Sequence, residues 1–237
     1  MKIRFDILRR KDPESRPYLQ SIDYEAASPE ETVATALTAF GEEGRFTDTA
    51  GNTVEPVRWE CSCLQKKCGA CAMVINGKPR LACDTFLFEE GKKGRIRLEP
   101  LGKFPVVADL IVDRSILFEN LKTLQVWSDE TVRTDEDNTD SAYEASRCLQ
   151  CGCCLEVCPN FCAGGSFAGT ASFVPQARLL VSLSGAERER VRKSYRKHIY
   201  EGCGKSLACR NICPAGINIE QLLIRSNALA IWKRVRK

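Results

Sequence analysis

Cys148-Leu149-Gln150-Cys151-Gly152-Cys153-Cys154-Leu155-Glu156-Val157-Cys158-Pro159 is the stretch that decides what the second half of this 237-residue chain must be. Four of its thiols follow C-x2-C-x2-C-x3-C-P, a spacing in which three cysteines hold one four-iron cluster and the fourth serves a neighbouring cluster. Such a run needs a mate. Cys203-x5-Cys209-x3-Cys213-Pro214 supplies it, with Ser206 where a second cysteine would stand. Exchange of fourth ligands assigns Cys148, Cys151, Cys154 and Cys213 to a [4Fe–4S] cluster, and Cys158, Cys203 and Cys209 to its neighbour. Three thiolates leave one corner of a cube to the Ser206 hydroxyl or water, and serine is a poor ligand for such iron. A [3Fe–4S] cluster is the favoured occupant. A four-iron cluster with serinate or water at that corner is the alternative.

Nearer the N-terminus, Cys63-Leu64-Gln65-Lys66-Lys67-Cys68-Gly69-Ala70-Cys71 reads C-x4-C-x2-C, and Cys83 follows as a fourth thiol. This is the spacing of plant-type [2Fe–2S] sites. Gly69 lets the main chain approach sulfur without a Cβ clash, and nearby N–H groups are needed to offset the cluster's charge. A zinc ribbon prefers two close C-x2-C pairs and finds one. The three groups use eleven of the fourteen cysteines; Cys61, Cys153 and Cys162 read as packing thiols.

Composition narrows the alternatives. A single histidine, His198, leaves Cys/His zinc fingers, Rieske centres and haem ligation within the chain without support. Hydrophobic content of 43% and charged content of 28% describe a globular chain. No apolar stretch approaches the ~20 residues of a membrane span, and no secretory signal precedes the first strand. A cytoplasmic location with no transmembrane segment is expected. From Ser141 onward there are 15 Lys/Arg and 6 Asp/Glu, so residues 1–140 carry −5 of the net +4 and the remainder +9. Arg188–Lys197 and Lys233–Lys237 could face lipid head groups or a solvated surface. Aromatic side chains are not interleaved with these charges as a stacking platform requires, so no nucleic-acid partner is expected.

The fold class expected is α+β. Lys2 to Arg10 alternates as a half-buried strand, Tyr18 to Tyr24 pairs with it, and short strands are expected at Val57–Glu60, Ala72–Asn76 and Arg95–Glu99. Ser28, Pro29 and Glu31 open a helix that Gly41 ends, and Ile75-Asn76-Gly77-Lys78 marks a hairpin. A linking helix is expected from Pro105, with Val107, Leu110, Ile111, Leu117, Leu121 and Leu124 inward, then an acidic connector from Ser128 to Asp140. Ser141 and Glu144 suggest a second capping box. Beyond it the pattern is helical throughout. The expected domains are 1–105, a [2Fe–2S] ferredoxin-like domain, and 106–237, a helical domain with the other two clusters, of which 106–140 is linker.

This order of motifs resembles the iron–sulfur subunits of succinate dehydrogenase and fumarate reductase, the complex II family, over nearly the whole chain. The likeness extends to Cys153-Cys154, to Asp109-Leu110-x-x-Asp113 and to Phe167-x-Gly169. It implies an N-terminal plant-type ferredoxin (β-grasp) domain and a C-terminal all-helical bacterial-type dicluster ferredoxin domain. It also implies a flavoprotein partner whose FAD interconverts succinate and fumarate, and a membrane anchor that binds quinone, with or without haem. Single electrons would pass from flavin to [2Fe–2S], [4Fe–4S], [3Fe–4S] and quinone, on the cytoplasmic side of the cytoplasmic membrane. The family's quinone-proximal segment maps to Pro159, Asn160, Phe161, Cys162 and Ala163, with Gly204 and Ser206. Ubiquinone-linked members usually have tryptophans at the positions of Cys162 and Ala163 and a histidine at Gly204. Their absence, and Asn227 on the last helix, resemble menaquinone-linked types.

Two other classes compete. One is the iron–sulfur subunit of a soluble or thiol-linked fumarate reductase, whose known relatives carry a cysteine-rich thiol-processing domain after the clusters, or of another flavoprotein–quinone oxidoreductase. The other is a diffusible ferredoxin, which rarely needs two domains and three clusters. No catalytic triad, nucleotide-binding glycine loop or spaced carboxylate pair appears, so no catalytic residue is assigned to this chain.

Overall fold

The computed structural model describes residues 1–128 and 136–232. The chain divides into two compact units, Met1–Asp113 and Arg114–Lys237.

In the first unit, β1 (Lys2–Arg9), β2 (Tyr18–Glu25), β3 (Ala72–Ile75), β4 (Lys78–Leu81) and β5 (Arg95–Glu99) form one sheet in the order β2-β1-β5-β3-β4. β1 runs antiparallel to β2 and parallel to β5, with Phe5 opposite Ile22 and Ile96. The alternation read in β1 is borne out: Ile3, Phe5 and Ile7 are fully buried. Asn76 and Gly77 take φ of 49° and 76° between β3 and β4, the left-handed pair that a tight hairpin turn needs. Phe5 packs edge-on against Phe40 at 5.3 Å, and Phe40 against Phe46 at 5.0 Å between ring centroids.

Several local expectations are corrected. Helix α1 is Val33–Ala39, and its cap is Thr32, whose hydroxyl and that of Thr35 complete a reciprocal capping box. Glu31 makes the expected back-bond to the Ser28 amide, but the turn it closes does not continue as helix. Its carboxylate accepts from the Ala27 and Ser28 amides and from the Tyr24 hydroxyl. Val57–Glu60 forms no strand. After α2 (Leu87–Glu90), the expected linking helix from Pro105 is instead a strand pair, β6 (Val106–Ala108) and β7 (Ile111–Val112). Asp109 turns between them with φ of 44°. Its carboxylate is 1% exposed and faces Arg9, 2% exposed, at 3.0 Å. It also accepts from the backbone amides of Arg10 and Arg58 at 3.0 Å each. Arg9 reaches the carbonyls of Glu55 and Pro56 as well. Segment 55–58 is therefore tied to β1 by an arginine and an aspartate, which explains why it needs no ladder.

The second unit is helical among its described residues: α3 (Ser115–Thr123), α4 (Glu136–Ser146), α5 (Cys153–Glu156), α6 (Thr170–Ser182), α7 (Gly185–Tyr195) and α8 (Ile219–Ala230), with a π-turn at Arg196–Tyr200. Only the part of the acidic connector outside 129–135 is described, and 136–140 is already helix. Ser141 and Glu144 consequently lie inside α4 and do not cap it. Ser141 accepts from Arg225 on α8, and Glu144 accepts from the Asn218 amide at 2.7 Å. The basic tail 233–237 lies outside the described residues.

Phe173, Leu180, Val191, Tyr195 and Leu222 centre the core of this unit. The Tyr195 hydroxyl donates to Asn227 Oδ1 at 2.7 Å, joining α7 to α8. Tyr195→Phe leaves that buried oxygen without a donor, and a loss of ~1–3 kcal/mol is expected in denaturant unfolding. An unchanged midpoint would show that water replaces the hydroxyl.

Candidate metal centres

The first cysteine loop is shaped around its sulfurs. Leu64, Lys66 and Gly69 adopt φ of 52°, 58° and 77°. Left-handed residues in such a loop turn backbone N–H groups inward as an anion-binding nest. The amides of Gln65 and Lys67 lie 3.3 and 3.2 Å from Cys63 Sγ, and that of Lys66 lies 3.4 Å from Cys83 Sγ. Those amide donors lower the Cys63 thiol to about 7. Cys71 Sγ is 3.4 Å from Cys83 Sγ, and burial pushes Cys71 up to about 12. The β3–β4 hairpin returns the chain so that Cys83 sits in a short turn at Ala82–Asp84. Cys63 and Cys83 are half-buried, whereas Cys61 and Cys68 are exposed.

In the helical unit the two cysteine runs interleave. One cavity is lined by Cys148, Cys151, Cys154 and Cys213, with Gly152, Thr170 and Ile219. A second is lined by Cys158, Cys203 and Cys209, with Asn160, Gly204, Ser206, Thr170 and Ile219. The cavities thus group the thiols as the spacing groups them, and Thr170 and Ile219 belong to the walls of both. Gln150 and Gly152 in one loop, and Lys205 and Leu207 in the other, have positive φ. Burial pushes Cys148 up to about 11 and raises Cys154 and Cys209, while a Thr170 hydrogen bond partly offsets the rise at Cys209. A hydrogen bond from Cys153 lowers Cys151 to about 7, and the same pairing raises Cys153. Buried, crowded thiols whose negative form lacks a compensating charge are suited to cationic iron, which deprotonates a coordinating thiol outright. Among the described residues, no three or more Cys, His, Asp or Glu side chains converge as on a single metal ion. The donor sets fit iron–sulfur clusters in number and chemistry.

Of the other site residues expected, Asn160, Gly204 and Ser206 line the three-cysteine cavity. A Cβ on Gly204 would meet Asn160 Oδ1 at 2.8 Å. Pro159 and Cys162 are exposed, while Phe161 is buried against Gly169. Asn227 is buried in the α7–α8 contact and is not among the residues lining that cavity. Gln150 and Thr170 escaped the sequence reading, because neither residue type carries a ligand signal.

Residues 4–119 match the model of a 2Fe-2S iron-sulfur cluster binding domain, and residues 144–217 that of a 4Fe-4S dicluster domain. The succinate dehydrogenase iron–sulfur subunit of Bacillus subtilis is 39% identical over 227 residues, covering 91% of this chain and 87% of the relative. The chain belongs to the succinate dehydrogenase/fumarate reductase iron–sulfur subunit family. Within that family, the fumarate reductase subunit of Wolinella succinogenes is 28% identical, with 88% of this chain and 89% of the relative covered. A chain of the Mycobacterium smegmatis Sdh1 complex in the apo form shares the fold, with a TM-score of 0.73 at 22% identity and 96% coverage of each chain. As a family member the chain is an iron–sulfur electron-transfer subunit of an oxidoreductase complex. The family's partner subunits are a flavoprotein and a membrane anchor, and a three-iron cluster is typical of it. Among the described residues no helix is long and apolar enough to cross a membrane.

Proposed function

We propose that this chain carries single electrons between the FAD of a flavoprotein that interconverts succinate and fumarate and a menaquinone bound by a membrane anchor. Cys63, Cys68, Cys71 and Cys83 hold the [2Fe–2S] cluster. Cys148, Cys151, Cys154 and Cys213 hold the [4Fe–4S] cluster, and Cys158, Cys203 and Cys209 the [3Fe–4S] cluster. When bound, the clusters supply one-electron redox steps that no side chain here can supply. The protein's own part is to fix the thiolates, to aim N–H groups at them and to exclude water. The observation that carries the reading is the pair of cysteine-lined cavities that share Thr170 and Ile219. Their common wall suits transfer between the two clusters.

Asn160, Gly204 and Ser206 present the three-cysteine cavity to solvent and would lie nearest the quinone, flanked by Pro159, Phe161 and Cys162. The lack of tryptophan at Cys162 and Ala163 and of histidine at Gly204 supports a low-potential quinone. Asn227, which accepts from the Tyr195 hydroxyl, is not among the residues lining the three-cysteine cavity. The subunit sits on the cytoplasmic face of the cytoplasmic membrane, held peripherally by its anchor. Purification of the tagged chain from native membranes tests this. Co-purification of a FAD-bearing subunit and an anchor, with succinate–menaquinone or menaquinol–fumarate activity, is expected. Isolation with a soluble thiol-oxidising partner would contradict the quinone assignment.

A further inference from the structure

Pro175 lies inside α6 and has no N–H for the carbonyl four residues earlier, so the Ala171 oxygen is released from the helix's own ladder. Gln150 takes that oxygen. Its Nε2 lies 2.8 Å from Ala171 O and 3.1 Å from Cys148 Sγ. One amide nitrogen thus divides two N–H donors between a helix carbonyl and a thiol of the four-cysteine cavity. The carbonyl can only accept, which fixes the nitrogen toward it and turns Oε1 into a buried position without a partner. Gln150 itself is placed by a left-handed backbone, φ 50°, between two cysteines of the run. Neither ligand spacing nor helix packing requires glutamine there.

We propose that Gln150 is a positioning residue of the four-cysteine cavity, whose amide, held by the carbonyl that Pro175 frees, directs an N–H onto Cys148 Sγ and raises the reduction potential of the cluster bound there. The proposal rests on the ligand grouping given above. A donor aimed at a thiolate offsets its negative charge, and that favours the form of the site carrying one more electron. Pro175 acts through Gln150. With an N–H at position 175, the Ala171 carbonyl returns to the helix and the amide loses its anchor.

The test is a redox titration, followed by electron paramagnetic resonance, of the complex from native membranes. Gln150→Leu should make reduction of the four-iron cluster roughly threefold to tenfold less favourable, a negative shift of about 28–59 mV for one electron. Gln150→Glu, which replaces the donor with a carboxylate, should shift it further in the same direction. Pro175→Ala should shift it in that direction too, and the double variant Gln150→Leu/Pro175→Ala no further than Gln150→Leu alone. The two-iron and three-iron potentials should stay unchanged. A four-iron cluster with its wild-type potential in Gln150→Leu would overturn the proposal, as would an equal shift of all three clusters. If Gln150→Leu fails to assemble its clusters, the Pro175→Ala shift decides. Absence of a four-iron signal in the wild type would instead remove the ligand grouping, and the proposal with it.

Discussion

Ser206→Cys is expected to turn the three-iron site into a four-iron site and to abolish most quinone-linked turnover. The substitution restores the second cysteine of the run beginning at Cys203, at a position that already lines the cavity with Cys158, Cys203 and Cys209. Ser206 is exposed, and its hydroxyl accepts only a long bond from the Ala208 amide at 3.5 Å. Lys205 and Leu207 on either side keep their left-handed conformation whichever residue stands between them. The chain should therefore fold as before. A fourth thiolate adds negative charge, and a fall of the site's potential on the order of 100 mV is expected. At 59 mV per tenfold for one electron, that weakens electron acceptance roughly 50-fold. Loss of the oxidised three-iron signal with retained flavin-side activity would bear this out. An unchanged three-iron signal would show that position 206 does not face the vacant corner.

Asp109→Asn is expected to destabilise the first unit as strongly as the loss of a large core side chain. Arg9 would keep its burial and its bonds to Gln20, Glu55 and Pro56 but lose the only carboxylate within 4 Å among its described ion pairs. A buried charge left without its partner costs about 3–5 kcal/mol, which corresponds to a Tm lower by on the order of 10–20 °C. The consequence reaches the metal site, because segment 55–58 leads directly into the first cysteine loop. Burial by itself would push the Asp109 carboxyl up, but the Arg9 guanidinium and the Arg58 and Arg10 amides outweigh it, and the carboxyl is held below its ordinary value. Its contribution is therefore present above the ordinary carboxylate range near pH 4 and lost as pH falls through the lowered folded value. Thermal unfolding from neutral to acid pH should show that loss in the wild type and not in Asp109→Asn. Equal acid sensitivity in both proteins would mean that other carboxylates dominate.

Residue spacing groups the thiols of the helical unit as its two cavities group them, and it carried part of the fold. Thiol positions within a run are dictated by cluster geometry, so C-x2-C-x2-C-x3-C-P speaks for itself, and Asn76-Gly77 marks a turn that few other residues can make. Val106 to Val112 misled because a short apolar run has no period that separates helix from strand, and a lone aspartate, though it tolerates positive φ, is a weak turn signal inside such a run. At α1 both Ser28 and Thr32 are good caps. Ser28 and Glu31 bond to each other around an isolated turn, and the helix starts only after Thr32 because Thr32 is held extended in a bridge to Phe86, a contact between elements that local pattern does not report. Ser141 and Glu144 failed as a capping box for the same reason, since both serve α8. The left-handed positions at Leu64, Lys66, Gln150, Lys205 and Leu207 were invisible because the loops impose them on ordinary side chains. Gln150 became meaningful only once Pro175 was seen to release a carbonyl beside it.

Metal analysis of the anaerobically purified complex, combined with low-temperature resonance spectra of its oxidised form, tests the grouping of the thiolates most directly. The account predicts about nine iron and ten acid-labile sulfide atoms per copy of this chain, with a three-iron signal in the oxidised protein. Zinc in place of iron, or an oxidised spectrum without the three-iron signal, would contradict it.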